Sequence, residues 1–446
     1  MLNEMQIYRC QPTRGPVDGV ITLSGSKSII NRALISAALA DGTSKLSNVL
    51  FAEDTLLMME ALRCLGVSVA ADQRQGTAEL LGCCGHLPAQ VSRLACGNSG
   101  TTIRFCTALC SLGHGRHELD GTPRMRQRPI GALVDALQTL GCPVEYGGAE
   151  GYPPLVVHGR GLRGGTVTFQ SPASSQFLSA LLLVAPYAVG DVLIEARGDQ
   201  SSRPYVGMTL GVMERFGVPV LSSAGGLAAK SDDFADRFIV EAPQRFSAAD
   251  FAIEPDASSA SYFLAAAALT GGRVTIEGLG SQSIQGDVGF VKLLERMGCR
   301  AVVEPARIVL QGPASSTKLA GLDVDLADMP DMVPTLAVLA LFADGATCIR
   351  NVGNLRVKES DRLAALAREL SKLGAAVEES ADGLRITPPS RVLPGIIETY
   401  ADHRIAMSFA LVGLRVPDLA ITDPGCVGKT LPDFFQRLEC LVATAS

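Results

Sequence analysis

The chain has 446 residues, 47% of them hydrophobic, with a formal net charge of -6 and no tryptophan. That length exceeds what one core usually serves, so two domains are expected, and the apolar content excludes a disordered chain. The acidic balance argues against general nucleic-acid affinity. Apolar runs such as Ala180 to Val189 are too short to cross a bilayer, and Met1 to Gly19 lack the apolar stretch of a signal peptide. The expectation is a soluble cytoplasmic protein, a monomer, with neither membrane nor nucleic acid as partner.

Twelve cysteines invite a disulfide or zinc reading. Cys83 and Cys84 are adjacent, no C-x-x-C pair exists, and Cys64, Cys106 and Cys110 sit inside apolar runs, where a thiol acts as a small hydrophobe. His114 and His117 bring no ligand set with them, so no metal is expected.

A first strand is predicted near Ile7 to Cys10 and is expected to pack with the C-terminal half. From Val20 onward one pattern recurs: strand, helix, strand, helix, then a strand or two. Helices of this pattern end in Leu65-Gly66, Leu140-Gly141, Phe216-Gly217, Met297-Gly298 and Leu373-Gly374, at near-constant spacings of roughly 75–80 residues. Glycine just past a helix is the expected C-terminal cap. A second landmark, an Ala/Leu-rich helix ending in a turn, appears six times, at Asp41-Gly42, Gly113, Gly190, Gly271-Gly272, Asp344-Gly345 and Pro417-Asp418. Six α/β copies fill the chain and split into two domains of three. The predicted N-terminal domain spans 20–244, and the other joins 1–19 to 245–446.

The residues before the first helix of each copy are unusual. They read Gly25-Ser26-Lys27-Ser28, Gly97-Asn98-Ser99-Gly100-Thr101-Thr102, Ser171-Pro172-Ala173-Ser174-Ser175-Gln176, Asp256-Ala257-Ser258-Ser259, Asp328-Met329-Pro330-Asp331 and Ala401-Asp402-His403-Arg404. Capping explains Ser or Asp there. It does not explain Lys27, Arg32, Arg104 or Arg404, because a cation opposes the helix dipole. A bound anion reverses that cost, since backbone N–H groups and cations then act together. The loops before the second helices repeat the theme with Arg124, Arg126 and Arg128, with Gln200 to Tyr205, with Asn354 to Arg362 and with Gly428-Lys429-Thr430. In an acidic protein this is the profile of a site for a small polyanion. Gly428-Lys429-Thr430 is not a P-loop, because position 423 is Asp423 where the motif needs glycine.

These blocks, together with Arg356-Val357-Lys358-Glu359-Ser360-Asp361-Arg362, closely resemble the 5-enolpyruvylshikimate-3-phosphate synthases, in order, from about Val20 to Phe435. The resemblance implies a two-domain inside-out α/β barrel with six β-α-β-α-β-β repeats, three per domain, that closes over its substrates. It implies transfer of the enolpyruvyl group of phosphoenolpyruvate to the 5-hydroxyl of shikimate 3-phosphate, without metal or organic cofactor. Shikimate 3-phosphate would meet Lys27, Ser28, Arg32, Ser174, Ser175, Gln176, Ser202, Tyr205, Asp331, Asn354 and Lys358. Phosphoenolpyruvate would meet Lys27, Asn98, Gly100, Arg128, Gln176, Arg362, His403, Arg404 and Lys429. Asp331 would take the hydroxyl proton, Glu359 would exchange a proton with the methylene carbon, and Lys27 would stabilise the intermediate and the departing phosphate.

Ser24, Thr102 and Phe105 depart from the common pattern, which has Pro, Ala and Pro there; Phe105 lies beside Gly100, whose presence implies sensitivity to glyphosate. Two rivals stand beside this reading. A sister enzyme acting on UDP-N-acetylglucosamine carries a catalytic Cys on a loop, and Gly121 to Pro129 holds none. A non-catalytic anion-binding paralogue would lack Lys27, Asp331 or Glu359, and all three are present. A third alternative is one segment of a fused multi-enzyme protein, whereas the length here fits one enzyme alone.

Overall fold

The structure is a computed structural model that describes residues 6–198, 201–222, 236–314 and 317–445. Gln200, named above, lies outside the described residues. The chain forms two compact units, an N-terminal one of Gly25–Ile253 and a C-terminal one joining Met1–Ser24 to Glu254–Ser446.

The N-terminal unit carries helices α1 (Lys27–Leu39), α2 (Glu53–Cys64), α3 (Gly100–Cys110), α4 (Gly131–Thr139), α5 (Gln176–Val184) and α6 (Arg203–Arg215). The C-terminal unit carries α7 (Ala257–Thr270), α8 (Phe290–Arg296), α9 (Val333–Ala340), α10 (Arg362–Lys372), α11 (His403–Val412) and α12 (Phe434–Ala443).

Among the described residues, one pairing scheme builds the four-stranded sheets. Val91–Ala95 runs parallel to His114–Asp120, which is antiparallel to Leu155–Arg160, which is antiparallel to Val144–Tyr146. Gly165–Gln170, Val192–Arg197, Asp236–Val240 and Leu221–Ser222 repeat it, as do Asp323–Asp325, Thr347–Arg350, Leu384–Thr387 and Ala376–Glu379. A helix bridges each of these parallel pairs, because parallel strands need a crossover, whereas Ala376–Glu379 reaches its antiparallel partner Leu384–Thr387 directly through a short turn. In the turn at Asp72–Gly76, the Asp72 carboxylate accepts from the backbone N–H of Arg74 and Gln75 at 2.8 and 3.1 Å.

Two sheets exchange their leading strands. Asp18–Thr22 feeds α1 but pairs with Arg273–Glu277 of the C-terminal unit. Asp250–Ala252 feeds α7 but pairs with Thr43–Ser47 of the N-terminal unit. The unit boundaries therefore fall at Ser24/Gly25 and Ile253/Glu254, later than the 19/20 and 244/245 expected from sequence. The strand Ile7–Arg9 pairs antiparallel with Ala420–Thr422, in the C-terminal unit.

Helices α1, α3 and α5 pack on one another inside the first unit, and α7, α9 and α11 do so in the second. Every residue of α3, α7, α9 and α11 is buried. Such helices are buried all round, whereas α10 and α12 are amphipathic and shield one side only. Each Leu, Ile or Val enclosed this way contributes about 1.5–3 kcal/mol. In α1 only Lys27 and Ser28 escape burial, and in α5 only Gln176. Where α1 and α5 reach solvent, they do so only at their first turns. Among the described residues no helix is long and apolar enough to cross a membrane. The twelve cysteines carry free thiols, and burial pushes those of Cys106 and Cys110 well up.

The glycines expected to end helices occupy the left-handed region, with φ of 86° at Gly66, 95° at Gly141, 83° at Gly217, 106° at Gly298 and 95° at Gly374. An added methyl at Gly298 meets no atom within 4 Å, so only backbone strain opposes it. Gly298→Ala is therefore expected to destabilise the C-terminal unit by about 1–2 kcal/mol, and Gly298→Asn by less, in urea unfolding. An unchanged midpoint for the alanine variant would contradict this origin of the cap.

Candidate active site

In the N-terminal unit the first turns of α1, α3 and α5 converge. Asn31 Nδ2 donates to Thr101 Oγ1 at 2.6 Å, and Arg104 Nη1 donates to Gln176 Oε1 at 2.6 Å. Three positive dipole ends are so brought close together. Ser99 caps α3 by accepting from Thr102 N–H at 3.3 Å. Thr102 donates its own hydroxyl to Ser99 Oγ at 2.8 Å, which gives this departure from the family pattern a structural job. Lys27 pairs with Asp54 at 2.9 Å, and Asp54 is almost wholly buried in the first turn of α2.

Arg32 is 1% exposed. Its guanidinium donates to Ser28 O (2.7 Å), Thr209 Oγ1 (2.7 Å), Ser179 Oγ (3.2 Å) and Tyr205 O (3.0 Å), all neutral oxygens. Burial alone pushes its pKa down to about 10. Phe105 lies 5.4 Å from it, beneath the guanidinium, and is buried in the core. Arg128 is likewise buried, and its Nη1 donates to Asn98 O at 2.9 Å and Asn98 Oδ1 at 3.3 Å. Among the described residues neither Arg32 nor Arg128 has a carboxylate partner. A buried cation held only by neutral acceptors is a costly arrangement that an anion would relieve. Gly100 lies against Arg128 and Arg104: a Cβ there would lie 2.6 Å from Arg128 Nη2 and 3.1 Å from Arg104 Nη1. Ser174 accepts from Gln176 N–H at 3.3 Å, and Ser174, Ser175 and Ser202 are buried. Ser202, before α6, adopts a left-handed φ of 64°.

The C-terminal unit gathers the opposite charge as well. Arg362, the first residue of α10, is 1% exposed and meets three carboxylates: Asp402 at 2.8 Å, Glu359 at 2.9 Å and Asp331 at 3.2 Å. Burial would lower its pKa, but Asp402, Glu359 and Asp331 overrule burial and raise it. Arg404 reaches the other oxygen of Asp331 at 2.6 Å and Tyr262 Oη at 3.4 Å. Asp331 therefore lies between two guanidinium groups. Burial works to raise its pKa, but Arg404, Lys358 and Arg362 hold the carboxyl well below the usual range. Asp331 does not cap α9, since that helix begins without a side-chain cap. Nor is Glu359 a surface partner of Arg362, for its side chain is only 9% exposed.

His403 is fully buried, with Nδ1 3.8 Å from Asp402 Oδ1. Lys429 is buried at the end of the segment Pro424–Lys429, which packs against α11, and Asn354 lies in the short helix Gly353–Val357. His114 and His117 belong elsewhere: His117 Nδ1 lies 2.9 Å from Ser92 Oγ, and His114 Nδ1 lies 3.0 Å from Gly113 O. Among the described residues no group of three or more His, Cys, Asp or Glu side chains is placed to hold a metal ion.

Two residues that the sequence reading gives no role at the site hold it together. Asp54, with Glu53, resembles ordinary acidic decoration of a helix start, and nothing local reveals that it reaches Lys27. Asp402 has the look of an N-cap and is one, accepting from Arg404 N–H at 3.0 Å. Its greater role is with Arg362 and with Ser360 Oγ, at 2.9 Å. That signal lies in the pairing of two distant motifs.

Comparison with known proteins fits this geometry. Residues 12–438 match the family model of EPSP synthase (3-phosphoshikimate 1-carboxyvinyltransferase). A 3-phosphoshikimate 1-carboxyvinyltransferase of Nostoc sp. is 44% identical over 422 residues, covering 95% of this chain and 96% of that one. The protein of the same name from Vibrio cholerae is 46% identical over 428 residues, covering 95% and 97%. Among solved structures, EPSP synthase from Acinetobacter baumannii superposes with a TM-score of 0.77 at 26% identity, covering 99% of this chain and 98% of that one. The chain belongs to the EPSP synthase family.

Proposed function

We propose that this protein transfers the enolpyruvyl group of phosphoenolpyruvate to the 5-hydroxyl of shikimate 3-phosphate, releasing inorganic phosphate. The observation that carries this reading is the pair Asp331 and Glu359 on one guanidinium, Arg362. Two carboxylates of differing surroundings, among cations, suit a reaction that moves two protons on polyanionic substrates. The names of the relatives support the same reaction.

In this proposal the 5-oxygen bonds to C2 of phosphoenolpyruvate and yields its proton to Asp331, while Glu359 delivers a proton to C3. The tetrahedral adduct then loses the C2–O bond to phosphate as C3 returns a proton to Glu359. Lys27 stabilises the departing phosphate, which carries off the proton the hydroxyl surrendered. Phosphoenolpyruvate brings its own leaving group, so the scheme uses no metal or organic cofactor. Arg128, Arg362, Arg404 and Lys429, with Asn98, Gly100, Gln176 and His403, take phosphoenolpyruvate, whose carboxylate and phosphate call for several cations. Ser28, Arg32, Ser174, Ser175, Gln176, Ser202, Tyr205, Asn354 and Lys358 take shikimate 3-phosphate. The proposal extends to an inside-out α/β barrel of three repeats in each unit, supported by the shared pairing scheme and the buried helices, and to a monomer of the cytoplasm.

The test is phosphate release with either shikimate 3-phosphate or UDP-N-acetylglucosamine as acceptor. Release is expected only with shikimate 3-phosphate, and Asp331→Ala should lower kcat by about 10²–10⁴-fold. Release only with the UDP-sugar, or with neither acceptor, would overturn the proposal.

The charge around Asp331 has a consequence for pH. In the free protein Arg404, Lys358 and Arg362 hold it as the carboxylate, which makes it a weak base. Anionic substrates on those same cations cancel part of their field, and the proton affinity of Asp331 rises. The acid limb of kcat, set by the loaded enzyme, should therefore lie at higher pH than that of kcat/KM. Coincident limbs in the two pH–rate profiles would contradict this. For Gly100→Ala, displacement of Arg128 is expected to raise KM for phosphoenolpyruvate on the order of tenfold or more. KM for shikimate 3-phosphate should stay within about twofold; steady-state kinetics with each substrate varied separates the two.

A further inference from the structure

Helix α10 grips the segment before α11 at two points. Its first residue, Arg362, holds Asp402. Two turns further along the same helix stands Glu369, which is wholly enclosed. Its Oε1 accepts from Tyr400 Oη at 2.7 Å, and its Oε2 accepts from Glu398 N–H at 3.2 Å. Lys372 closes the cluster, with Nζ 2.8 Å from both oxygens.

The gripped segment is strained. Tyr400 and Ala401 are consecutive non-glycine residues at φ of 55° and 52°. Left-handed backbone is unfavourable for residues with a Cβ, so such a pair persists only where its surroundings impose it. The next residues are Asp402, the partner of Arg362, then His403, then Arg404, the partner of Asp331. The direction in which Arg404 points is therefore set by a backbone turn that does not hold itself.

We propose that Glu369 and Tyr400 form a positioning pair for the reaction: their hydrogen bond keeps Tyr400–Ala401 left-handed and so aims Arg404 at Asp331 and at the phosphoenolpyruvate anion. Neither residue touches substrate; both act through Arg404. Burial first, and then the Glu369 carboxylate, push the Tyr400 hydroxyl up to about 12, so it stays a donor across the working pH range. Lys372 pairs with Glu369, Glu398 gives it a backbone N–H, and around the Tyr400 hydroxyl stand Arg368, hydrogen-bonded to it, and the Glu398 carboxylate. The inference rests on the proposed reading of Arg404 as a phosphoenolpyruvate ligand.

The test compares wild-type protein, Tyr400→Phe, and Tyr400→Phe combined with Ala401→Gly. Tyr400→Phe is expected to raise KM for phosphoenolpyruvate about three- to tenfold while leaving KM for shikimate 3-phosphate unchanged. Adding Ala401→Gly should return KM for phosphoenolpyruvate towards wild type, because glycine adopts the left-handed turn without strain. A merely structural role would lower the unfolding temperature and move both KM values together, without rescue. That result, or a wild-type KM in Tyr400→Phe, would overturn the inference. Wild-type protein inactive with shikimate 3-phosphate would instead refute the proposed reaction on which the inference rests.

Discussion

A guanidinium at Arg362 that water scarcely reaches is the constraint on which the C-terminal unit is organised. Such a charge is tolerable only when it is fully paired, and removing one partner of a buried pair typically costs about 3–5 kcal/mol. Asp402, Glu359 and Asp331 supply the pairing. Each of the three also does something else. Asp402 caps α11, Asp331 receives Arg404, and Glu359 stands three residues before Arg362 on the loop that enters α10. One ion cluster thereby fixes the starts of two helices and sets two carboxylates at defined places. The geometry that stabilises this unit is the geometry proposed to move protons.

The N-terminal unit solves the same electrostatic problem differently. Arg32 and Arg128 are buried against neutral oxygens rather than carboxylates. Their stabilisation is incomplete, since the first turns that converge beside them carry hydroxyls, amides and cations but no carboxylate for either guanidinium. An anion is the missing counterpart. Under the proposed reaction, binding energy from phosphate and carboxylate groups would orient the substrates, and Asp331 would gain basicity as its neighbouring cations become occupied.

Much of this was legible from residue types alone. The glycines at 66, 141, 217, 298 and 374 were readable as caps because no other residue takes that backbone cheaply, and all five adopt positive φ. Lys27, Arg32 and Arg404 were conspicuous because cations at helix starts need an explanation. The exchange of Asp18–Thr22 and Asp250–Ala252 between sheets was not legible, because a strand's partner depends on distant sequence that its own alternation does not encode. Asp54, Asp402 and Glu369 were hidden for a related reason. Each sits where a local rule already accounts for it, as a helix-start acid, a cap or an i, i+3 partner of lysine, and only tertiary packing reveals the second role.

The most direct measurement is a single turnover in D₂O, with the methylene carbon of the product examined for deuterium by NMR, for the wild-type protein and Glu359→Gln. If Asp331 and Glu359 share Arg362 as paired proton-transfer groups, the wild-type product should carry deuterium at C3, and Glu359→Gln should suppress both its uptake and phosphate release. Phosphate release without deuterium at C3, or unaltered uptake in Glu359→Gln, would contradict the account.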